Sequence, residues 1–232
     1  VNGVQGNELS LDVEVKNTEG FGEENNEWYP LDKIKVETNV ENIGDDYISK
    51  IVIEWCLYNP TDGKCTQLKD KEDDFRLRDG ADKDVDIEFQ VDPDDLEEDV
   101  TNYIFYLKAY SKDDKYGEDK LCVEYSEDIN IMRDSSFVIL SDIVVPETVP
   151  CGEFLEGTAK IRNIGDDDEN DVYINVYNKD LGINEKIIAG DLDEFENKDL
   201  SFRFQIPKTA ESGKTHQLEF RVFDEEDNIF KN

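Results

Sequence analysis

Residues 40–46 read Val-Glu-Asn-Ile-Gly-Asp-Asp, and residues 161–167 read Ile-Arg-Asn-Ile-Gly-Asp-Asp, 121 positions further along the chain. After each copy, apolar and polar residues alternate along the chain. The alternation has the same phase relative to the motif in both copies. The apolar residues are Ile51, Ile53 and Trp55 after the first copy and Val172, Ile174 and Val176 after the second. Such an alternation is typical of antiparallel strands that bury one face and expose the other. The chain is therefore predicted to contain one β-structural unit twice in tandem.

Short alternating segments, separated by Gly, Asn, Asp and Pro, run through the whole chain and predict an all-β protein. One helical turn is predicted, at residues 93–98. The regular spacing of the strands predicts two tandem immunoglobulin-like antiparallel β-sandwich domains. The first spans residues 1–133 and includes an N-terminal arm, and the second spans residues 134–232.

The chain of 232 residues carries 25 Lys and Arg against 59 Asp and Glu, a net charge of −34. Nucleic acids and anionic membranes are not expected partners, because binding to phosphates requires clustered cations. The single histidine, His216, excludes a zinc site built from several histidines. No stretch is apolar over the roughly 20 residues that span a bilayer, so no membrane insertion is expected in this segment. The chain is predicted not to be an enzyme.

The second copy of the repeat stops earlier than the first. Domain one has a last strand after its acidic turn, around Leu121, Val123 and Tyr125, whereas domain two ends at residues 228–232, where that strand should begin. The final strand of domain two is thus predicted to be incomplete. An extended arm of a neighbouring subunit could fill such an edge, with residues 1–7 as a donor. The alternative is a mere chain end or a fraying terminus.

Asn42-Ile43-Gly44 and Asn163-Ile164-Gly165 each end a strand, and two further phrases are Val149-Pro150-Cys151-Gly152-Glu153 and Leu181-Gly182-Ile183-Asn184. With these motifs, nearly the whole chain resembles the CARDB-type immunoglobulin-like domains of prokaryotic surface proteins. It is similar in particular to the tandem acidic domains of archaeal surface-layer (S-layer) proteins. The resemblance implies extracellular modules that serve adhesion or shell building, without catalysis. The long loop at residues 18–30 and the insertion at residues 56–75 depart from a minimal module of this family.

The glycines of the repeated motif are predicted to turn the chain. Gly44 and Gly165 are expected to adopt φ > 0, while the preceding asparagine side chain bonds to local backbone. The alternative is a ligand-binding loop.

Cys56 and Cys65 bracket a strand end and a turn, a spacing that suits a disulfide closing a short hairpin. Cys122 lies in the last strand of domain one and Cys151 follows the linker, so a second disulfide between them would clamp the two domains together. Two disulfides favour an oxidising exterior. Four reduced thiols in a cytosolic protein are the alternative.

Acidic runs between strands are candidates for calcium, which prefers about six to eight hard oxygen ligands. The best run follows the Asn-Ile-Gly of domain two, with Asp166, Asp167, Asp168 and Asp171 as candidate ligands. None of the runs matches an EF-hand loop. A solvated loop that binds counterions weakly is the alternative. No other cofactor is predicted.

Trp28 and Tyr29 lie together in a predicted loop and are the candidate residues for binding a glycan or a partner protein. The alternative is that they cover one end of the core. Trp55 lies in the inward phase of its strand and is expected to fill the core. Paired carboxylates, which a glycosidase requires, are too abundant in this chain to indicate one.

The outward phase of the strands predicts a contact surface. The apolar residues that point away from the core are Tyr58 on the third strand, Ile104, Tyr106 and Tyr110 on the sixth, and Tyr173, Tyr177 and Phe223 in domain two. These strands are neighbours in the usual sandwich order, so the side chains are expected to form an apolar patch on one outer face. Ordinary cross-strand pairing without a partner is the alternative.

Together these features predict a non-catalytic structural or adhesive module of an extracellular cell-surface assembly, either a surface layer or a filament. Its expected partners are further copies of itself, through sheet faces or strand addition, or other surface proteins. The alternatives are a glycan- or protein-binding module and an accessory domain pair of a larger secreted enzyme.

Overall fold

The computed structural model describes residues 8–97, 99–113 and 121–230. These residues form mostly antiparallel sheets, which confirms the predicted all-β class. A turn of 3₁₀ helix at Pro93–Asp95 lies where the sequence predicts a helical turn. The chain divides into two compact units, Val1–Met132 and Arg133–Asn232. The sequence-based boundary, after Arg133, lies one residue further along the chain.

Unit 1 contains two sheets. One has the strand order β1-β3-β7, and the other has the order β2-β9-β8-β4-β5, with the short β6 paired to β4. Neighbouring strands are antiparallel except β2 and β9, which are parallel. The strands are β1 (Leu9–Glu19), β2 (Glu27–Trp28), β3 (Lys33–Asn42), β4 (Ile48–Asn59), β5 (Lys64–Lys71), β6 (Phe75–Leu77), β7 (Asp82–Gln90), β8 (Asn102–Ser111) and β9 (Cys122–Ile131).

Unit 2 also contains two antiparallel sheets, with the strand orders β10-β11-β14 and β13-β12-β15. The strands are β10 (Val138–Val144), β11 (Phe154–Asn163), β12 (Glu169–Asn178), β13 (Ile183–Leu192), β14 (Asn197–Gln205) and β15 (Glu219–Phe223).

The core of unit 1 lies between its two sheets and is rich in aromatic rings. Phe89 on β7 stacks on Trp55 of β4 at 4.5 Å between ring centroids and lies 6.2 Å from Phe105 of β8. Because these rings come from both sheets, the sheets pack face to face in a sandwich-like arrangement. Trp55 therefore fills the core, as its inward phase predicts. Unit 2 has its own core of buried aliphatic and phenylalanine side chains.

The repeat seen in the sequence extends to the register of the strands. In unit 1, Trp55 on β4 stands opposite Leu107 on β8. In unit 2, Val176 on β12 stands opposite Phe220 on β15. Strand β12 thus corresponds to β4 and strand β15 to β8, residue by residue.

The repeated asparagine is fully buried in unit 2 and binds the backbone around it. The Nδ2 group of Asn163 donates to the carbonyl of Asp167 at 2.8 Å and to those of Leu192 and Asp193, each at 3.3 Å. Its Oδ1 accepts from the N–H of Gly165 at 3.0 Å. The side chain of Asn163, at the end of β11, therefore forms hydrogen bonds with backbone groups of the following loop and of the end of β13.

Asn42 makes the equivalent bonds in unit 1, where it is also fully buried. Its Nδ2 donates to the carbonyl of Asp46 at 2.7 Å, and its Oδ1 accepts from the N–H of Gly44 at 3.0 Å. The predicted bonding of the asparagine to local backbone is confirmed in both units.

The prediction that the two motif glycines adopt φ > 0 is wrong, because neither Gly44 nor Gly165 has a positive φ. Space is the reason for glycine instead. A Cβ atom on Gly165 would lie 2.8 Å from the carbonyl oxygens of Asp134 and Ser135. On Gly44 it would meet the side chain of Glu8, with Cγ at 2.9 Å. A flexible side chain can move away, whereas packed backbone cannot.

We expect Gly165→Ala to destabilise unit 2 by about 1–3 kcal/mol, the usual cost of overpacking, and Gly44→Ala to destabilise unit 1 by less than about 1 kcal/mol. Urea unfolding followed through NMR resonances of each unit measures both. The tryptophans report on unit 1 alone, since Trp28 and Trp55 both lie there. Equal losses of unfolding free energy in Gly165→Ala and Gly44→Ala would contradict this expectation. They would show that the backbone beside Gly165 moves away from a Cβ atom as easily as a side chain does.

Candidate functional site

The predicted outward-facing residues of domain one lie together on the outer face of the pair β4 and β8. Tyr58 stands opposite Ile104 and Cys56 stands opposite Tyr106, while Tyr110 continues the same alternation along β8. Opposite residues share one face of an antiparallel pair. We call Tyr58, Ile104, Tyr106 and Tyr110 the tyrosine face. Each of the four is half-buried.

The predicted hairpin disulfide is present beside the tyrosine face. Cys56 on β4 and Cys65 on β5 are bonded, with their Cα atoms 5.7 Å apart. Closing a loop of this length stabilises a fold by about 2–3 kcal/mol in the loop-entropy model. The disulfide holds the tip of β5 against β4.

A cavity of about 410 Å³ lies where β5 departs from regular pairing. Four steps along β5, from Cys65 to Lys69, oppose only two steps along β4, from Tyr58 to Cys56. The two additional residues make β5 bulge. We call this space the disulfide cavity, and its lining consists of Glu54, Trp55, Cys56, Cys65, Lys69, Asp70, Lys71, Tyr106 and Lys108.

The charged groups beside the disulfide cavity bond to one another. The hydroxyl of Tyr110 donates to Oε1 of Glu54 at 2.6 Å, and Nζ of Lys71 bonds to the same carboxylate and to the Tyr110 oxygen. Nζ of Lys108 lies 3.3 Å from Oε1 of Glu124. The carboxylates of Glu54 and Glu124 are thus each paired with a lysine.

Tyr106 and Glu124 form a second hydrogen-bonded pair on this face. Burial, together with the hydrogen bond to Glu124, raises the pKa of Tyr106. The hydrogen bond from Tyr106, followed by that from Lys108, lowers the pKa of Glu124. At neutral pH the tyrosine is therefore a neutral donor and the glutamate an ionised acceptor.

The corresponding predicted contact residues of unit 2 are placed differently. Tyr173 is buried, because the ring of Phe223 stacks on it at 5.1 Å and Nζ of Lys186 lies 3.3 Å from its ring centroid. Its hydroxyl donates to Oδ1 of Asp227 at 2.6 Å. Tyr177 is exposed. The prediction of an outward-facing contact role for Tyr173 is corrected, since its neighbours cover it.

The bond between Tyr173 and Asp227 predicts a pH dependence for unit 2. It raises the pKa of Tyr173 to about 12, above the value of about 10 in an unfolded chain. The folded state holds this proton more tightly, so the stabilisation is complete below about pH 10 and is lost as the pH rises toward 12.

We expect the free energy of unfolding of unit 2 to differ between wild type and Tyr173→Phe below pH 10, and the difference to shrink above it. Urea midpoints measured from pH 8 to 12 test this, with Tyr177→Phe as the matched control. A difference that stays constant with pH would contradict the assignment.

Cys122 and Cys151 are free thiols, so the predicted disulfide between the two domains is absent. Cys122 is half-buried on β9. Cys151 is exposed in a turn, where its Sγ donates to the carbonyl of Ala210 at 3.2 Å. The thiol of Cys151 thus bonds within its own unit, which corrects the second predicted bridge.

The four candidate calcium ligands are exposed, and the structure does not gather them into one site. Oδ1 of Asp168 accepts from the N–H of Glu194 at 3.1 Å, and the N–H of Asp171 donates to Oδ1 of Asp191 at 3.0 Å. The backbone N–H groups of Asp166 and Asp167 bond to residues 134 and 135. In the part of the chain that the structure describes, no group of three or more His, Cys, Asp or Glu is placed to hold a metal ion. Calcium binding stays a prediction.

Trp28, the main candidate for a glycan-binding residue, is fully buried. Its ring packs edge-on against Phe89 and Phe105 at 5.7 and 6.2 Å, and its Nε1 donates to the carbonyl of Asn25 at 2.8 Å. Tyr29 is half-buried. Because Trp28 belongs to the core, the hypothesis of ligand binding through it is corrected in favour of the alternative that it covers the core.

A buried carboxylate holds the segment that carries Trp28, which lies on β2 and not in a loop as predicted. Asp32 is fully buried and accepts four hydrogen bonds. The donors are Nδ2 of Asn17 at 2.6 Å and the N–H groups of Phe21 at 2.6 Å, Gly22 at 3.1 Å and Tyr29 at 2.9 Å. Asp32 therefore ties the end of β1 to the start of β3 around the loop between them.

We expect Asp32→Ala to destabilise unit 1 by at least about 2 kcal/mol, because several backbone donors lose a buried acceptor. Exposure of Trp28 should shift its fluorescence to longer wavelength before global unfolding. Urea titration with fluorescence detection measures both effects. Asp12→Ala, at an exposed position of β1, is the matched control and should lie within about 0.5 kcal/mol of wild type. An equally mild effect of Asp32→Ala would contradict its role.

Sequence reasoning missed Asp32 and the lysines of the disulfide cavity. In a chain with 59 acidic residues, nothing in the sequence distinguishes Asp32 from an exposed carboxylate. Lys69 and Lys71 stand at alternate positions of a strand that ends a cysteine hairpin, and this was a weak signal of a shared face. Their meeting with Lys108 depends on the register between β5, β4 and β8.

No family model and no curated protein matches the chain. Among solved structures, a red sea bream transglutaminase is 10% identical with a TM-score of 0.33, over 93% of this chain and 29% of that chain. The exo-chitosanase of Amycolatopsis orientalis in complex with PNP-beta-D-glucosamine is 14% identical with a TM-score of 0.30, over 81% of this chain and 24% of that chain. This chain spans less than a third of the length of either, and likenesses this distant indicate no function for it.

None of the helical segments among the described residues is long and apolar enough to cross a membrane.

Proposed function

We propose that the chain is a pair of immunoglobulin-like β-sandwich domains that acts as a non-catalytic structural or adhesive module of an extracellular cell-surface assembly. Further copies of the chain, or other surface proteins, are its partners. They associate by strand addition or through sheet faces.

The strand order supports the immunoglobulin-like part of the proposal. In such sandwiches strands A, B and E share one sheet, and strands G, F, C and C′ share the other. In unit 1, β1, β3 and β7 take the places of A, B and E, while β9, β8, β4 and β5 take those of G, F, C and C′. In unit 2, β10, β11 and β14 form the first sheet and β15, β12 and β13 the second, and the residues described up to 230 include no full strand in the place of G.

The observation that carries the proposal is the tyrosine face, whose four half-buried side chains lie on the outside of the sheet that contains β4 and β8. The edge of β15 is the place where we propose strand addition. In the described part of unit 2, only a bridge between Phe223 and Ile229 borders β15 on the side away from β12. The N–H of Phe230 donates to the carbonyl of Val222 at 3.1 Å. Since alternate residues of a strand present their backbone groups to the same side, Phe220 also faces this edge. It has no partner there among the described residues.

The same edge is covered in unit 1. There β9 pairs with β8 along nine residues, and Tyr125 stands opposite Leu107, the counterpart of Phe220. Leu107 is fully buried, whereas Phe220 is half-buried. A strand edge beside a partly exposed apolar row is a place where another strand can add. The predicted donor segment, residues 1–7, lies outside the described residues.

Two further features support an extracellular, self-associating module. The Cys56–Cys65 disulfide fits an oxidising compartment. The tyrosine face offers half-buried aromatic side chains on the outside of a sheet. The net charge of −34 opposes association, so bound cations would have to moderate the repulsion between copies.

Light scattering in millimolar calcium and then in chelator tests the proposal on three chains. They are wild type, a chain extended after Asn232 by Ser-Glu-Asp-Ile-Asn-Ile, the sequence of residues 126–131 of β9, and a control extended by six Gly and Ser residues. We expect wild type and the control to form large species in calcium. The β9-type extension should fill the edge of β15 and return the chain to a monomer.

A monodisperse wild-type monomer in both conditions would overturn self-association. Large species that persist with the β9-type extension would overturn strand addition at β15 and direct attention to the tyrosine face.

A further inference from the structure

The disulfide cavity has the size and lining of a small-molecule site. Its volume of about 410 Å³ lies within the range of roughly 300–1,000 Å³ that is usual for such sites. The lining surface is mostly apolar and includes the Cys56–Cys65 disulfide and Tyr106. Glu54, Lys71 and Lys108 add groups that can donate or accept hydrogen bonds.

The cavity is part of the backbone architecture. The two additional residues of β5 open it, and the disulfide joins its β4 and β5 walls. The third wall, β8, lies in the middle of the sheet, between β4 and β9. A cavity held in this way can receive a ligand at low cost in conformational entropy.

The charges around the cavity favour a neutral ligand. Glu54 is bonded to Lys71 and Tyr110, and Lys108 lies beside Glu124. The two other charged groups of the lining, Lys69 and Asp70, carry one charge of each sign, so the lining has no strong excess of either charge. A ligand with hydroxyl groups can bond to charged groups of either sign, since a hydroxyl both donates and accepts.

The outer face of the other sheet of unit 1 differs from the disulfide cavity because its charges are mostly acidic. Along β7, the exposed side chains Asp82, Asp84, Asp86 and Glu88 alternate on one face of the sheet. Of these, Asp86 is paired with Lys35 at 3.0 Å. In a chain of net charge −34, the lining of the disulfide cavity instead balances the carboxylates of Glu54 and Asp70 with three lysine side chains.

An apolar wall with a polar rim suits a sugar ring, which has an apolar C–H face and a rim of hydroxyl groups. Tyrosine combines an apolar ring with a polar hydroxyl and serves such contacts well. The paired carboxylate and ammonium groups of Glu54, Lys71 and Lys108 can bond hydroxyls at the rim.

We propose that the disulfide cavity binds a neutral saccharide, with Tyr106 against the C–H face of the sugar and Glu54, Lys71 and Lys108 bonding its hydroxyls. This activity goes beyond the proposed structural role and does not depend on self-association.

NMR titration of the full chain tests the inference. Glucose, galactose, mannose and N-acetylglucosamine and their disaccharides are the neutral probes, and galacturonate is the charged comparator. We expect at least one neutral sugar to give saturable amide shifts centred on the cavity residues of β4, β5 and β8, with weaker binding of galacturonate.

Two variants and a matched control locate the binding. Tyr106→Leu and Lys108→Met should each raise the Kd at least tenfold, while Tyr177→Leu, on an exposed face of unit 2, should leave it unchanged. Circular dichroism identifies any variant that fails to fold. The Kd of the other, folded variant then tests the inference. Absence of saturable shifts, shifts centred elsewhere, unchanged affinity in folded variants, or tighter binding of galacturonate would each overturn the inference. Sugar binding by a chain that stays monomeric would overturn only the proposed self-association.

Discussion

Each unit of this protein is organised around a buried asparagine side chain whose hydrogen bonds join a strand end to the loop that follows it. The N–H and C=O groups of a buried side-chain amide need hydrogen-bond partners, because an unpaired polar group in the interior costs about 1–3 kcal/mol. Asn42 and Asn163 meet this demand with backbone partners, so the loops after β3 and β11 have little freedom. The strand that follows begins in the same phase in both units, and the equivalent registers of β4 with β8 and of β12 with β15 follow from it.

Sequence reasoning recovered what depends on short-range patterns. The alternation around Ile53 and Trp55 predicted the strand and its buried face, and the spacing of Cys56 and Cys65 predicted a disulfide within one hairpin. The same alternation placed Tyr58 and Tyr106 on a common outer face, since both depend only on the phase of neighbouring strands. The buried face of the strand and the hairpin disulfide are each encoded within about ten residues, whereas the common face of Tyr58 and Tyr106 also required the usual strand order of a sandwich.

The predictions from sequence were wrong where contacts between distant segments determine the local structure. Gly165 is required by the backbone of residues 134 and 135, which the local motif does not reveal, so a turn conformation was predicted in its place. Trp28 is buried because Asp32 folds its segment inward, and an acidic residue gives no sign of this in so acidic a chain. The disulfide between Cys122 and Cys151 was predicted from the expected oxidising compartment, which says nothing about the distance between two cysteines.

In the described residues, the two units differ at one sheet edge. In unit 1, β9 covers β8, whereas in unit 2 the described chain borders β15 only at Ile229 and Phe230. Native-state hydrogen exchange at a concentration where the protein is monomeric tests this difference directly. We expect the amide of Phe220 to exchange at least about a hundredfold faster than that of its counterpart Leu107. Equal protection of the two amides in the monomer would contradict the account, because the edge of β15 would then already be covered.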